Sequence, residues 1–282
     1  MPVSPSSSVQ AARKAVADRL HEIRRESGLS GAQVAERAGW YKSKVSRLEN
    51  AVTPPSDADI RAWCAACGAE DRAPDLIAAS RSADTMYVDW RRLQRTGLAR
   101  LQESYVPLYE RTRTTRVYCS NVVPGLLQTD GYARALLGSI YAFRQIPNDV
   151  EAAVAARVER SRVIREGDHR FALLVEESVL RHRMGSAEVM AGQLGYLLSV
   201  MAFPSVSFGV IPFTADRRMW VTETFSVYDD AQAQVETLTA QLNITAPGEL
   251  EQYVRAFGEF SKLAVYGSAA RSLITAAIEA VE

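Results

Sequence analysis

The sequence predicts an α+β multi-domain protein, in which an N-terminal all-α domain of five helices precedes a larger mixed α/β domain. Up to about residue 82, helix-forming patterns follow one another without a strand-like run. From about residue 106, helical patterns alternate with short runs of β-branched and aromatic residues. The chain of 282 residues is long enough for each part to bury a core of its own.

This change of pattern divides the chain into four segments. Residues 1–10 are rich in Ser and Pro, which predicts a flexible tail, and residues 11–82 form the helical domain. Residues 83–105 are polar and rich in Arg, which is typical of a connector. Residues 106–282 form the mixed α/β domain.

The first two helices have clear end signals. The first spans about residues 11–27 and ends before Gly28, a residue suited to the left-handed position after a helix. The second begins after Ser30, with Gln33 placed as in a capping box, and it ends at Gly39. This second helix is therefore short.

Three more helices complete the N-terminal domain. The third spans about residues 41–50, because Pro54-Pro55 cannot continue it. The fourth begins after Ser56, with Asp59 three residues later as a second capping acid. The fifth covers about residues 74–82.

The C-terminal domain combines helices with strands. Helix patterns lie at about residues 129–138, 148–166 and 186–201, and an apolar helical stripe runs through residues 250–260. Strand-like runs are Phe171–Val175, Val206–Ile211, Thr224–Tyr228 and Gln234–Ile244.

The second and third helices form a wedge around a tight turn at Gly39. Ala35 is small enough to let the helices approach, while Val34, Val45 and Leu48 fill the space between them. The outer face of the third helix is left polar and basic. A helix of this kind fits the major groove of DNA, which is about 12 Å wide.

At these residues the chain resembles the Xre/Cro-type repressor family, whose recognition helix closes on Ser-Arg-hydrophobic-Glu-Asn. The corresponding residues here are Ser46–Asn50, and the resemblance covers about residues 13–80. Two positions depart from the family pattern, because Gly31 stands where Gln is usual and Tyr41 stands where a Ser cap is usual. Loss of a side-chain cap costs about 1 kcal/mol in typical helices.

The resemblance implies that this domain binds double-stranded DNA. It assigns Lys42, Ser43 and Lys44 to base edges or nearby phosphates, Arg47 to a phosphate and Gln33 to positioning on the DNA backbone. The complete predicted DNA-binding set is Gln33, Tyr41, Lys42, Ser43, Lys44, Ser46 and Arg47.

Residues 105–282 resemble the C-terminal domain of a large actinobacterial group of regulators, described as toxin–antitoxin-like. Members carry this domain behind an Xre-type head, and the resemblance implies a small partner protein encoded by a neighbouring gene. The chain departs from the group where Gln232 and Gln234 replace a more hydrophobic strand. The matching residues are Val123–Ala135, Glu176–Arg181, Met184-Gly185 and Gln193-Leu194.

Charge and cysteine content favour a cytoplasmic, nucleoid-associated protein with no membrane partner. Residues 1–50 hold nine Lys and Arg against five acids, which suits phosphate contacts, although solvated helix faces explain such a charge excess equally well. Apolar runs are too short to span a membrane, and residues 1–10 lack the apolar segment of a secretory signal. We therefore expect reduced thiols at Cys64, Cys67 and Cys119.

Two other groups of residues allow a functional and a structural interpretation. Cys64 and Cys67 have the spacing of half a zinc site or of a redox pair, but packing in the core is favoured because no second pair exists. Glu176, Glu177 and His182 could form an acid–base or metal cluster, yet capping and surface pairing are favoured.

The sequence as a whole predicts a sequence-specific transcriptional regulator that acts as a homodimer. Its C-terminal domain would supply dimerisation and sense a partner protein or a ligand. One alternative is an antitoxin-like protein that chiefly sequesters a small partner and autoregulates its operon. A weaker alternative is an enzyme with an unrecognised C-terminal site, although no phosphate loop, dinucleotide fingerprint or serine elbow predicts catalysis or a cofactor.

Overall fold

The computed structural model describes the backbone of residues 7–281, together with the side chains of all these residues except 7–9, 82 and 84–87. The chain forms two compact units that divide after Val88. We refer to these as the first unit and the second unit.

The first unit is all-α and has five α-helices among its described residues, as the sequence predicts. A single 3₁₀ turn at Glu70–Arg72 precedes the last of them. The helices are α1 (Ser7–Glu26), α2 (Gly31–Ala38), α3 (Lys42–Glu49), α4 (Asp57–Cys67) and α5 (Ala73–Met86).

Two helix ends differ from the prediction. Helix α1 begins at Ser7, so residues 7–10 of the predicted tail are helical, because neither Pro nor Gly interrupts the chain after Pro5. Helix α5 extends to Met86, beyond the predicted end. Residues 1–6 of the predicted tail lie outside the described residues.

The core of the first unit is centred on Trp63 of α4, which is completely buried. Its indole nitrogen donates a hydrogen bond of 3.0 Å to the carbonyl oxygen of Leu20 in α1. A buried Trp contributes large apolar area, and its N–H needs a partner, so this bond fixes the distance between α1 and α4. Cys64 lies next to it with its side chain fully buried.

The second unit is a mixed α/β domain built on a seven-stranded sheet, which confirms the predicted fold class. Its strands are β1 (Tyr87–Asp89, across the division), β2 (Thr114–Cys119), β3 (Arg170–Glu176), β4 (Val206–Ile211), β5 (Phe225–Tyr228), β6 (Gln232–Glu236) and β7 (Ala240–Ile244). Its helices are α6 (Trp90–Leu93), α7 (Ala99–Ser104), α8 (Val106–Arg111), α9 (Asp130–Arg144), α10 (Val150–Arg160), α11 (Glu177–Arg181), α12 (Ala187–Val200), α13 (Pro247–Leu263) and α14 (Gly267–Glu279).

The strand order is β1-β7-β6-β5-β2-β3-β4. Strand β3 pairs in parallel with β2 and β4, whereas the remaining registered pairs, β2–β5, β5–β6 and β6–β7, are antiparallel. Side chains alternate between the two faces of the sheet, and both faces are covered. Leu173 of β3 packs in the cluster that includes α12 and α14, while Leu174 packs in the cluster that includes α13.

The prediction missed β2, an interior strand that lies between β5 and β3. The strand begins with Thr114, Thr115 and Arg116, so its first half lacks the apolar alternation that identifies a strand. The predicted single strand at Gln234–Ile244 is a hairpin of β6 and β7, because Thr237 closes a turn through a 2.8 Å bond from its N–H to the oxygen of Ala240.

Residues 89–105, which the sequence assigned to a connector, contribute α6 and α7 to the second unit. Trp90 is buried there, and its indole nitrogen donates to the oxygen of Thr237 at 2.9 Å. The carboxylate of Asp149 accepts bonds of 2.8 Å from the N–H groups of Leu98 and Ala99 at the start of α7. Across residues 7–281, no helix combines the length and apolarity needed to cross a membrane.

Candidate nucleic-acid interface

The helix–turn–helix of α2 and α3 is held by local caps that the sequence predicts. Ser30 caps α2: its hydroxyl accepts from the N–H of Gln33 at 3.3 Å, and the Gln33 side chain accepts from the N–H of Ser30 at 2.8 Å. Gly39 ends α2 with a φ of 67°, in the left-handed region that favours glycine. The next residue, Trp40, donates to the oxygen of Ala35 at 2.7 Å, which closes the turn.

The predicted wedge between α2 and α3 is confirmed. Val34, Ala35, Val45 and Leu48 are all buried, and they belong to one apolar cluster. Burial of this face orients the opposite face of α3 outward. The polar residues of α3 therefore have a fixed direction relative to α2.

Most of the predicted contact residues are exposed; Gln33 lies on α2, and the others lie on α3 or at its N-cap. Tyr41 is 86% exposed and stands at the N-cap of α3 without a side-chain capping bond, as its identity predicts. Lys44 is the exception, because it is only half-buried and makes intramolecular contacts. The exposed members of the set are Gln33, Tyr41, Lys42, Ser43, Ser46 and Arg47. Their roles in DNA contact stay predictions.

Lys44 braces α3 against α4. Its Nζ lies 2.5 Å from Oδ1 of Asp59 and 4.3 Å from the centroid of the Trp40 ring. Burial favours the protonated form of Asp59, but hydrogen bonds from Lys44 and from Ser56 hold the pKa of this carboxyl below its ordinary value. To contact DNA, Lys44 would have to leave this ion pair.

Lys42 and Arg47 differ from Lys44 in this respect. Within the part of the chain that the structure describes, neither forms an ion pair, and both are exposed. They stand at opposite ends of α3, on the outer face. They are therefore the α3 cations best placed to meet phosphates.

Arg24 and Glu49 form a clamp that the sequence analysis missed. The Nε of Arg24 donates to Oε1 of Glu49 at 2.6 Å, and its Nη1 donates to the oxygen of Leu29 at 3.0 Å. One guanidinium group thus joins α1, the loop before α2 and the end of α3. A signal was present, since an acid in the last turn of a helix opposes the helix dipole and indicates a cationic partner.

Glu176 and Glu177 of the second unit are both buried, and each is held by hydrogen bonds within that unit. Glu176 is buried and accepts from the hydroxyl of Tyr118 at 2.7 Å and from Arg217. Glu177 is also buried and accepts from the N–H of Phe213 at 2.9 Å and from Arg181. The expected pairing is present, but the expectation of a surface location was wrong, because both acids anchor the segment that follows β4.

The cysteines are free thiols. Burial raises the pKa of Cys64 to about 11, consistent with its place in the apolar core. Among the residues described, no group of three or more His, Cys, Asp and Glu side chains could hold a metal ion.

The fold and this site define a helix-turn-helix protein with a mixed α/β C-terminal domain. A family model described as "Helix-turn-helix domain" matches residues 15–76, which supports DNA binding by the first unit. The model described as "Domain of unknown function (DUF5753)" matches residues 102–276, and the chain belongs to this family.

Two further comparisons add no functional argument. No curated protein matches the chain. A solved structure described as "Structure of TrmBL2, an archaeal chromatin protein, shows a novel mode of DNA binding" matches with 10% identity and a TM-score of 0.31, covering 85% of this chain and 88% of that chain. At this TM-score the likeness carries no argument about fold or function.

Proposed function

We propose that the protein is a sequence-specific transcriptional regulator of the Xre/Cro type that inserts α3 into the major groove of double-stranded DNA. The observation that carries this proposal is the exposed polar face of α3 on a clamped helix–turn–helix. Eight residues give a helix about 12 Å long, comparable to the width of the groove.

We assign different roles to the contact residues. Lys42 and Arg47 carry charges free to meet phosphates, and Tyr41, Ser43 and Ser46 lie on the face that approaches base edges. The oxygen of the Gln33 side chain is used in the capping box, so its amide N–H groups are the part that would reach the DNA backbone. Lys44 would act mainly by holding α3 in place.

We further propose that the regulator acts as a homodimer in the cytoplasm, bound to the nucleoid. A single short helix touches few base pairs, so useful specificity needs a second copy on a two-fold operator with half-sites about 34–36 Å apart. The second unit would supply dimerisation and would sense a partner protein or a ligand. The proposal assigns no catalytic step to the chain.

The antitoxin-like alternative remains a second candidate because residues 105–282 resemble the actinobacterial toxin–antitoxin-like group. In that case, the chief task of the second unit is to sequester a small protein encoded nearby. Adding the product of a neighbouring small gene to the protein–DNA complex separates the two functions. Release of DNA together with a stable protein–protein complex favours the alternative.

Genome-wide mapping of binding sites tests the main proposal and yields the operator. Binding to an enriched fragment is then measured by fluorescence anisotropy against salt. The double variant Lys42→Ala/Arg47→Ala should bind more weakly and lower the salt slope by about one unit for each lost phosphate contact. Lys14→Ala, which removes an exposed lysine of α1, serves as the matched control.

Equal binding by the double variant and the wild-type protein would overturn the assignment of α3. Sedimentation of the protein as a monomer at the concentrations that bind DNA would overturn the homodimer. Each of these two measurements decides its own part of the proposal.

A further inference from the structure

The second unit contains a cavity of about 260 Å³ whose lining residues have no role in the DNA contacts proposed above. Part of its wall is apolar and comes from Leu98 and from Leu136, Leu137 and Ile140 of α9. Its volume approaches the lower end of the range typical of small-molecule sites. The cavity lies wholly within the second unit.

The polar part of the wall carries excess positive charge. Three arginines, Arg144, Arg157 and Arg160, face the cavity together with one acid, Glu236. Positive charge therefore exceeds negative charge by two. Over the described residues, none of these arginines lies within 4.0 Å of a carboxylate oxygen.

Neutral groups hold the three guanidinium groups instead. Arg157 donates to Oε1 of Gln102 at 3.0 Å and to Oε1 of Gln128 at 2.5 Å. Arg144 lies over the ring of Trp90, with its Cζ 4.6 Å from the ring centroid. These contacts orient the positive charges without neutralising them.

Two buried polar atoms on the cavity wall have no hydrogen-bond partner among the described residues. They are Oε1 of Gln94 and Nε of Arg160, on side chains that are 2% and 9% exposed. The Nη1 of Arg160 makes only a long bond of 3.4 Å to the oxygen of Gln102. Because leaving a buried polar group without a hydrogen bond is unfavourable, this combination of an acceptor and a cation favours a ligand that can satisfy both.

Other arginines of this chain show that the arrangement is unusual. Arg24 and Arg217, which are also largely buried, each pair directly with a carboxylate, Glu49 and Glu176 respectively. A purely structural role for the cavity arginines would call for the same solution, since burying an unpaired charge is costly. Burial lowers the pKa of Arg157 to about 10, and the positive charge of Arg160 adds to the effect. An anion in the cavity would favour the charged form of Arg157 and so oppose this shift.

We propose that this cavity is a binding site for a small organic anion that carries up to two negative charges and an apolar body. The anionic group would lie among Arg144, Arg157 and Arg160, and the apolar body would pack against the leucines and isoleucine of the wall. A hydroxyl or amino group of the ligand would donate to Oε1 of Gln94. The role of the anion as the sensed signal rests on the proposed regulatory function, whereas its binding does not.

Isothermal titration calorimetry with the full chain and no DNA tests the site. The probes are phenyl phosphate and 1-naphthyl phosphate, with 1-naphthol as the neutral counterpart. We expect at least one phosphate to bind about tenfold or more tightly than 1-naphthol, because charge-assisted bonds to arginine are the stronger interaction. The measurement is repeated with Arg144→Gln and with Arg134→Gln, which changes an exposed arginine of the same helix.

Arg144→Gln should weaken phosphate binding by about tenfold or more, whereas Arg134→Gln should leave it unchanged. Without ligand, Arg144→Gln should change the melting temperature little, because loss of the contact with the ring of Trp90 is offset by removal of a partly buried charge that has no carboxylate partner. Gln94→Met provides a second variant that keeps the side-chain volume and removes the unpartnered acceptor. Its thermal stability should be equal or higher and its phosphate binding weaker.

Three results overturn the proposal: neither phosphate binds at millimolar concentration, 1-naphthol binds as tightly as the phosphates, or Arg144→Gln and Arg134→Gln weaken binding equally. DNA binding is measured separately by anisotropy. Failure of the regulatory proposal therefore leaves the calorimetric result intact, and failure of the site leaves the DNA result intact.

Discussion

The Nε of Arg24 lies 2.6 Å from Oε1 of Glu49, and both side chains are largely buried. This ion pair joins α1 to the final turn of α3, the helix proposed to enter the DNA groove. The orientation of α3 thus depends on a residue from another helix. The Arg24–Glu49 clamp affects the orientation of the exposed face of α3, but it does not change which side chains that face presents.

We predict that Glu49→Ala lowers the free energy of unfolding of the first unit by about 1–3 kcal/mol, because it leaves the Arg24 guanidinium without its charged partner. Urea unfolding followed by circular dichroism measures the change. Glu22→Ala, which breaks an exposed pair with Arg19, is the control and should change stability by about 0.5 kcal/mol or less. Equal effects would show that the clamp contributes nothing beyond a surface pair.

The Lys44–Asp59 pair predicts a pH dependence of stability. The folded-state pKa of Asp59 lies below its ordinary value of about 3.9, so its contribution is present above that value and is lost as pH falls through the folded-state pKa. The stability difference between the wild-type protein and Asp59→Asn should therefore shrink as the pH falls below about 4. Unfolding measured from pH 6 to pH 3 tests this, and a difference independent of pH contradicts it.

A substitution at Tyr41 should change the stability of the first unit and its binding to DNA in opposite directions. Tyr41→Ser should add a side-chain cap to α3 and stabilise the first unit by about 0.5–1 kcal/mol. If Tyr41 contacts DNA, the same variant binds its operator more weakly despite the added stability. Thermal melting and anisotropy measure the two quantities. A gain in both would mean that the exposed ring takes no part in DNA binding.

Thiol reactivity should follow burial. At pH 8 the folded protein should react with Ellman's reagent first at Cys67, which is half-buried, while Cys64 and Cys119 should react only after unfolding. Burial raises the pKa of Cys64 to about 11, so little thiolate is present at that pH. Peptide mapping identifies the labelled residue, and the variant Cys67→Ala serves as the control. Fast labelling of Cys64 in the folded state would contradict the core assignment.

Local signals in the sequence were sufficient to predict two helix caps and the tight turn of the first unit. Ser30 with Gln33, Ser56 with Asp59, and Gly39 each act within a few residues, so their caps and turn could be predicted correctly. Strand β2 could not be predicted in this way, because its place in the sheet comes from pairing with β3 and β5, which lie far along the chain. Tertiary pairing there overrides a polar local sequence.

The candidate nucleic-acid interface was predicted only in part, because local signals determine some of its features and long-range packing determines the others. The exposure of Tyr41, Lys42 and Arg47 follows from helical periodicity alone. The engagement of Lys44 by Asp59 depends on how α3 and α4 pack, which periodicity does not specify. The cavity arginines come from two helices and gave no motif, so only the folded chain brings them together.

Trp90 is both a wall of the cavity and the second residue after the division between the units. Its backbone N–H and its indole N–H are both tied to the tip of the β6–β7 hairpin, at Thr239 and Thr237. The segment that follows the division between the units is therefore held by hydrogen bonds at the wall of the cavity. An occupant of the cavity that contacts the indole of Trp90 would therefore contact the second residue after the division between the units.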